Sequence, residues 1–336
     1  MQGKQIKNGS IENALNQFLR DEHHLVLGFE KGKEGVNHRI FKNSLQHFSF
    51  FNPVFSINGA LYLRRLFSKA SQIILMLRPC EIRAYAELTK LTQIEREGIT
   101  AVSIDCFGAA SSKEKTDAVP TEMVQIKDYF KDSEKMRWAC KFCRERRGVV
   151  GDAGVRIDKN GTLWALPYTE KGEVLVSSIE STSEEAPTEM LIGETKQTAK
   201  FQSDMNEFGK DFSKCIMCKN CRDMCPVCYC IDCVFNGDEY LPKGDALLNR
   251  IFRTDSGEMP QGKELFHLIR MYHVSQTCVG CGACEEACPQ GIPLTKYFKG
   301  TSERLQGMFS YMAGRRFDEE IPYLTFLEDE LKDAED

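Results

Sequence analysis

CIMCKNCRDMCP, residues 215–226, and CVGCGACEEACP, residues 278–289, share one spacing. Each reads C-x-x-C-x-x-C-x-x-x-C-P, with Cys215, Cys218, Cys221, Cys225 and Pro226 in the first and Cys278, Cys281, Cys284, Cys288 and Pro289 in the second. Three cysteines at this interval can wrap three corners of one iron–sulfur cube. The fourth, past a turn stiffened by proline, reaches a neighbouring cube. The pair therefore predicts a bacterial-type dicluster ferredoxin-like domain with two [4Fe–4S] clusters and crossed ligands. Cluster 1 takes Cys215, Cys218, Cys221 and Cys288, and cluster 2 takes Cys278, Cys281, Cys284 and Cys225. Gly280 and Gly282 permit close backbone approach to the sulfurs. Zinc, the alternative, needs four ligands per ion but not this spacing. Cys228, Cys230 and Cys233, in the run CPVCYCIDC, are left over. They can line the first cluster, ligate a further metal or fill space, and a supporting role is the expectation.

Working outward, the 336 residues are 42% hydrophobic and 28% charged, which suits a soluble chain of two domains. A net charge of −5, with Lys and Arg spread along the chain, excludes the basic field that nucleic-acid binding requires. No apolar run approaches the ~20 residues that cross a bilayer, and residues 1–20 do not read as an export signal. Fifteen cysteines in a cytoplasmic chain are expected to stay reduced and to serve as ligands.

Eleven of those cysteines crowd between Cys215 and Cys288, whereas Cys80, Cys106, Cys140 and Cys143 stand alone earlier. That asymmetry divides the chain into an α/β domain over 1–180, a polar linker over 181–203 and the cluster domain over 204–300. A helical insertion is expected over 234–277 and a helical, acidic tail over 301–336. In the first domain, strands His24–Phe29, Gln72–Leu77 and Ile99–Asp105 alternate with helices near Gly59–Ala70 and Glu81–Leu91, predicting a mixed sheet with a parallel component. Val149–Trp164 and Val174–Ile179 read as strands of a β annex around an Asn160-Gly161 turn. In the insertion, Gly262–Val274 reads as a helix with Leu265, Phe266, Leu268, Ile269 and Tyr272 to bury, and with His267 and His273 as packing or surface residues. Glu328–Asp336 reads as a solvated end.

Cys80 opens a helix after one strand and Cys106 closes another, positions where strand carboxyl ends face a ligand crevice. A helix N-terminus also favours the thiolate. With the C-x-x-C of Cys140 and Cys143, these four can complete a third cluster; from spacing alone, two buried thiols and a separate redox or zinc pair fit equally. No G-x-G-x-x-G follows a strand, so an ordinary Rossmann site is not supported. In FSINGALYLRRL, residues 55–66, Asn58 can cap a helix that holds a pyrophosphate together with Arg64, Arg65 or Arg78; an ordinary capped helix with surface arginines is the plainer reading.

The segments PCEIRAYAEL, SIDCFG and CKFC followed by GDAG resemble the β subunits of coenzyme F420-dependent hydrogenases and formate dehydrogenases over roughly residues 50–165. CPVCYC and the later CVGCGACEEACPQGI are similar to the dicluster module of sulfhydrogenase β subunits and of the A subunit of anaerobic sulfite reductase; similar proteins accompany heterodisulfide reductases. In those relatives, as here, the module follows the α/β domain. The resemblance implies a third [4Fe–4S] cluster on Cys80, Cys106, Cys140 and Cys143 beside FAD, and a place in a redox complex of hydrogenase, formate dehydrogenase or heterodisulfide reductase type. On that reading the chain passes electrons from a two-electron donor such as reduced F420 to its clusters. A flavin-free relay is the alternative, and a zinc scaffold the third.

Overall fold

The structure, a computed structural model, describes all residues except 1, 8, 67–71, 115–118, 182–184, 194–204, 238–243, 255–261 and 327–336. Most of the expected linker and the acidic run Glu328–Asp336 therefore lie outside the described residues, as do the side chains of Arg64 and Arg65.

The apolar runs QIILML and ITAVSI are strand-sized and β-branched, and each continues into a helix or loop that carries a cysteine. They form β6 (Gln72–Leu77) and β7 (Ile99–Ile104), central strands of one mixed sheet. β2 (His24–Gly32), β6, β7 and β9 (Ala153–Ile157) run parallel in that order. Antiparallel strands close both edges: β3 (Gly35–Phe41) and the short β4 (Phe48–Ser49) beside β2, then β10 (Leu163–Pro167) and β1 (Lys4–Gln5) beyond β9. A two-stranded parallel pair, β5 (Val54–Phe55) with β8 (Ala110–Ser111), stands apart.

Strand alternation sends successive side chains to opposite faces. Val26, Ile74, Met76, Val102, Ile104 and Val155 meet α1 (Ser10–Phe18), α4 (Met123–Tyr129) and α6 (Glu170–Ser177). Leu27, Phe29, Ile73, Leu75, Leu77 and Ala101 meet α2 (Ala60–Leu66) and α3 (Pro79–Lys90) on the other face. Val279, Tyr311, Ala313 and Ile321 join this second core, so the chain beyond the cluster motifs is packed rather than solvated.

Two expectations are corrected. The β annex is no separate unit: β9 and β10 pair around the Asn160-Gly161 turn and continue the main sheet, with Gly161 at φ 87° and its N–H on Asp158 O. Val174–Ile179 is not a strand but lies in α6 and its C-terminal end. Thr169 caps that helix by accepting from Gly172 N–H, and burial falls on Gly172, Val176 and Ile179, at helical spacing.

The C-terminal part is helical. It comprises α7 (Met205–Phe212), α8 (Asn220–Asp223), α9 (Gly244–Thr254), α10 (Lys263–Val274), α11 (Ala283–Glu286) and α12 (Leu294–Met308), after the small α5 (Trp138–Lys141) of the first part. The helix expected from position 301 thus starts earlier, at Leu294. Buried polar contacts fasten the two parts together. Arg83 Nε donates to Ala313 O (2.8 Å), Tyr311 Oη to Glu87 (2.6 Å) and Lys299 Nζ to Phe142 O (2.6 Å).

Candidate metal centres

The turns after α7 and α11 bring the first three cysteines of one motif to the last cysteine of the other. Cys215, Cys218, Cys221 and Cys288 line one cavity of about 310 Å³, walled by Phe266, Ile292 and Leu294. Met217 and Lys219 adopt positive φ (54° and 62°), which folds the chain tightly between these thiols, and Met217 N–H donates to Cys215 Sγ at 3.4 Å. Cys284 stands in the fields of Cys278 and Cys281, and Cys225 in that of Cys284. The Cys225 and Cys228 thiols are in hydrogen-bonding contact, so Cys228 of the left-over trio belongs to this neighbourhood.

A second cavity, of about 410 Å³, opens at the carboxyl ends of β6 and β7. Cys80, Cys106, Cys140 and Cys143 all line it, and Cys281 of the second motif lines it with them. Cys80 is held as the second residue of α3, with its entrance turn bonded through Arg78 N–H to Glu81 (3.0 Å). Cys106 follows β7, with Gly108 N–H on its sulfur at 3.4 Å. Cys140 lies in α5, and Cys143 donates to Glu145 O at 3.2 Å. Phe55, Ala109 and Ala283 pack Cys80, Cys140 and Cys281 into one small core.

All fifteen thiols are free of disulfides. Burial pushes Cys106 up to about 12, Cys221 up to about 11 and Cys80 well above the ordinary range, so the helix N-terminus expected to favour a thiolate at Cys80 is outweighed by desolvation. Thiols of this kind ionise when a metal takes the proton's place. Among the described residues no three His, Cys, Asp or Glu side chains converge on a point, as a single ion demands. Instead, four thiols line the first cavity and five the second, donor sets of the kind an iron–sulfur cube uses.

Gly280 and Gly282 also lie where the two parts of the chain meet. Both have positive φ (68° and 71°), but a Cβ would meet the Lys299 stem at Gly280 and the Arg137 guanidinium and Ala139 at Gly282. The glycines admit the neighbouring part of the chain at the Cβ side, while Gly280 N–H interacts with the Cys278 sulfur. Arg137 donates to Cys281 O across this contact.

The residues expected to hold a flavin phosphate are engaged in protein contacts. Arg78 donates to Asn52 O (2.9 Å), Val54 O (2.6 Å) and Glu81 (3.3 Å) between the rings of Phe29 and Phe55. Asn58 Oδ1 accepts from Ala60 N–H at the start of α2 (3.0 Å), and its amide reaches Cys80 O (3.5 Å) and the Cys281 thiol. Arg78 lines the second cavity, and Asn58 bonds two residues of its wall. A smaller cavity of about 260 Å³, walled by Phe50, Phe51 and Phe107, adjoins it and shares Arg78, Cys106 and Gly108.

Two residues at the first cavity escape hydrophobic patterning. α10 buries Phe266, His267, Arg270, Met271 and Val274, while Leu265, Leu268 and Tyr272, expected inside, are exposed. His267 Nε2 lies 3.3 Å from Cys215 Sγ, and Arg270 Nη1 lies 3.0 Å from Cys221 Sγ. Their i, i+3 spacing on a helix beside the motifs is the signal that could have found them.

Residues 211–292 match the family model described as a 4Fe-4S dicluster domain. Over 80% of its length the chain is similar to an F420-dependent formate dehydrogenase subunit beta of Methanocaldococcus jannaschii, 25% identical in an alignment of 322 residues that also covers 80% of that protein. It is also similar to the F420-dependent formate dehydrogenase 1 subunit beta of Methanococcus maripaludis, 26% identical over 308 aligned residues that cover 75% of each. No described helix is long and apolar enough to cross a membrane.

Proposed function

We propose that this chain is the iron–sulfur electron-transfer subunit of a cytoplasmic oxidoreductase complex of the F420-dependent formate dehydrogenase kind. It would hold three [4Fe–4S] clusters and FAD. The observation that carries the reading is the second cavity, where Cys281 of the ferredoxin-like motif packs against Cys80 and Cys140 of the α/β part. Cys221 and Cys284, from different motifs, are likewise neighbours. The thiol sites therefore follow one another from the sheet's carboxyl edge to Cys218, which is exposed. Crossed ligation, with Cys288 on cluster 1 and Cys225 on cluster 2, is part of this proposal, supported by the company Cys288 keeps in the first cavity.

Cubane clusters exchange single electrons, and a flavin converts a hydride into single electrons, so the two together link F420-type chemistry to a one-electron path. The protein's part is to hold and shield. Phe55, Ala109 and Ala283 keep water from the second cavity, and the buried Arg78 and Arg137 bring positive charge to a thiolate-rich site. Leu265 and Tyr272 expose apolar surface on α10, the helix whose Phe266 and His267 wall the first cavity, which supports docking of a partner subunit there.

Protein purified without oxygen and assayed for iron, sulfide and flavin tests the reading. About twelve irons and one FAD per chain, with bleaching by reduced F420, are expected. Eight irons without flavin would favour the second reading, a relay that only wires larger subunits together, which the engaged state of Asn58 and Arg78 also supports. Co-purification then decides whether the partner handles formate, hydrogen or a heterodisulfide.

A further inference from the structure

Arg270 is one of the largest fully enclosed side chains, at 2% exposure, and a buried guanidinium is costly unless negative charge faces it. Among the described residues no carboxylate pairs with it. The thiols around it are Cys221, Cys225 and Cys284, drawn from both motifs, and Cys228, which is hydrogen-bonded to it, with His267 also in its field. Nη1 donates to Cys221 Sγ and Nη2 to Cys221 O, each at 3.0 Å, while the rings of Phe298 and Phe266 cover the guanidinium at 4.8 and 5.5 Å. One turn earlier, His267 places Nε2 on Cys215 Sγ, between the rings of Phe212 and Phe266. A single helix thus aims a fixed cation and a ring nitrogen at two thiols of one cavity, and brings the cation to the boundary with the other motif's thiols.

We propose that Arg270 and His267 are positioning residues that set the reduction potential of cluster 1 above that of cluster 2, making cluster 1 the electron acceptor of the pair. The inference rests on the crossed dicluster reading. One-electron reduction adds one negative charge to a cluster and its thiolates, and no proton or leaving group is involved. A guanidinium fixed at a ligand sulfur in a dry site stabilises that added charge, and N–H donation to sulfur acts in the same direction. Arg270 N–H and, in the tautomer that carries the proton on Nε2, His267 are aimed at cluster 1 ligands. Arg270 also bonds the Cys228 thiol, whereas the cluster 2 ligands Cys225 and Cys284 feel the cation without a direct bond from it, so cluster 1 gains more.

The experiment is a redox titration followed by electron paramagnetic resonance on the full chain, run only after iron and sulfide have been counted. A shortage of cluster iron in the wild-type protein would defeat the dicluster reading itself. With both clusters present, Arg270→Gln is expected to move the electron distribution between them at least tenfold away from cluster 1, which is 59 mV for a one-electron couple. Arg270→Lys, which keeps the charge, should retain most of the wild-type gap, and His267→Phe should shift it in the Gln direction by less. Full cluster content with both potentials unmoved in Arg270→Gln, or a shift toward cluster 1, overturns the proposal. Should Arg270→Gln fail to hold its clusters, two ligand variants decide. Cys288→Ser must remove the higher-potential signal and Cys225→Ser the lower one; the reverse overturns it.

Discussion

His38 Nε2 lies 2.6 Å from Glu81 Oε1, with the histidine side chain 2% exposed and the glutamate fully enclosed. The same carboxylate accepts from Gly59 N–H (2.9 Å) and from Arg78 N–H (3.0 Å) and Nη1 (3.3 Å). One residue, adjacent to Cys80, therefore joins edge strand β3, the start of α2 and the start of α3.

Burial alone would raise the Glu81 carboxyl, but the charges of His38 and Arg78 more than offset it and hold the group at about 2. A folded pKa below the unfolded value of about 4.3 contributes stability that is present above that value and lost as pH falls through the folded one. The contribution is on the order of 3 kcal/mol at neutral pH. Denaturant midpoints of wild type and Glu81→Gln should accordingly differ at pH 7 and converge progressively between about pH 5 and pH 2. A gap that holds constant down to pH 3 would show that the ion cluster is not the source.

The cavity shared by Cys215, Cys218, Cys221 and Cys288 leads to a spectroscopic expectation. Cys288→Ser should perturb the same cluster signal as Cys218→Ser, and Cys225→Ser the same signal as Cys281→Ser. Paramagnetic spectra of the four variants check this pairing. Grouping by motif, with Cys288→Ser resembling Cys281→Ser, would refute crossed ligation.

Much of this was legible in the sequence, for identifiable reasons. The β6 and β7 runs are buried on both faces and so stand out as continuous apolar stretches, and cysteine spacing is a direct record of ligand geometry. β3 was not legible, because an edge strand such as GVNHRIF mixes polar and apolar residues. The facing of α10 departs from its hydrophobic pattern because such patterning assumes an apolar interior. Here the interior holds thiols, so Arg270 is better placed inside than Tyr272. The joining of Cys281 to the α/β cysteines was equally hidden, being a contact between segments more than 130 residues apart, a separation that follows from their numbering.

That contact frames a test of the third site. Cys143→Ser removes one of four thiols that line the cavity with Cys281, and should lower total iron by about four atoms per chain while leaving the dicluster signals in place. Iron and acid-labile sulfide counts on anaerobic protein decide it. Unchanged iron would reject a third cube.

Gly282 tests how the two parts of the chain are held together. Its φ of 71° costs any other residue about 1 kcal/mol, and a Cβ there would also strike the Arg137 guanidinium and Ala139. Arg137 cannot yield freely, since it lies 3.8 Å over the Phe55 ring and donates to Cys281 O. Gly291 has a similar φ of 61° but open space around it, so Gly291→Ala pays the conformational cost alone. Gly282→Ala should therefore lower the denaturant midpoint by clearly more than Gly291→Ala, the excess being on the order of 1–3 kcal/mol for a forced core shift. Because the displaced guanidinium bonds to the carbonyl of Cys281, Gly282→Ala should also lose iron faster to a chelator, whereas Gly291→Ala should not. Equal midpoints and equal iron loss in the two variants would mean that the contact between α5 and the second motif does not hold the cavity closed.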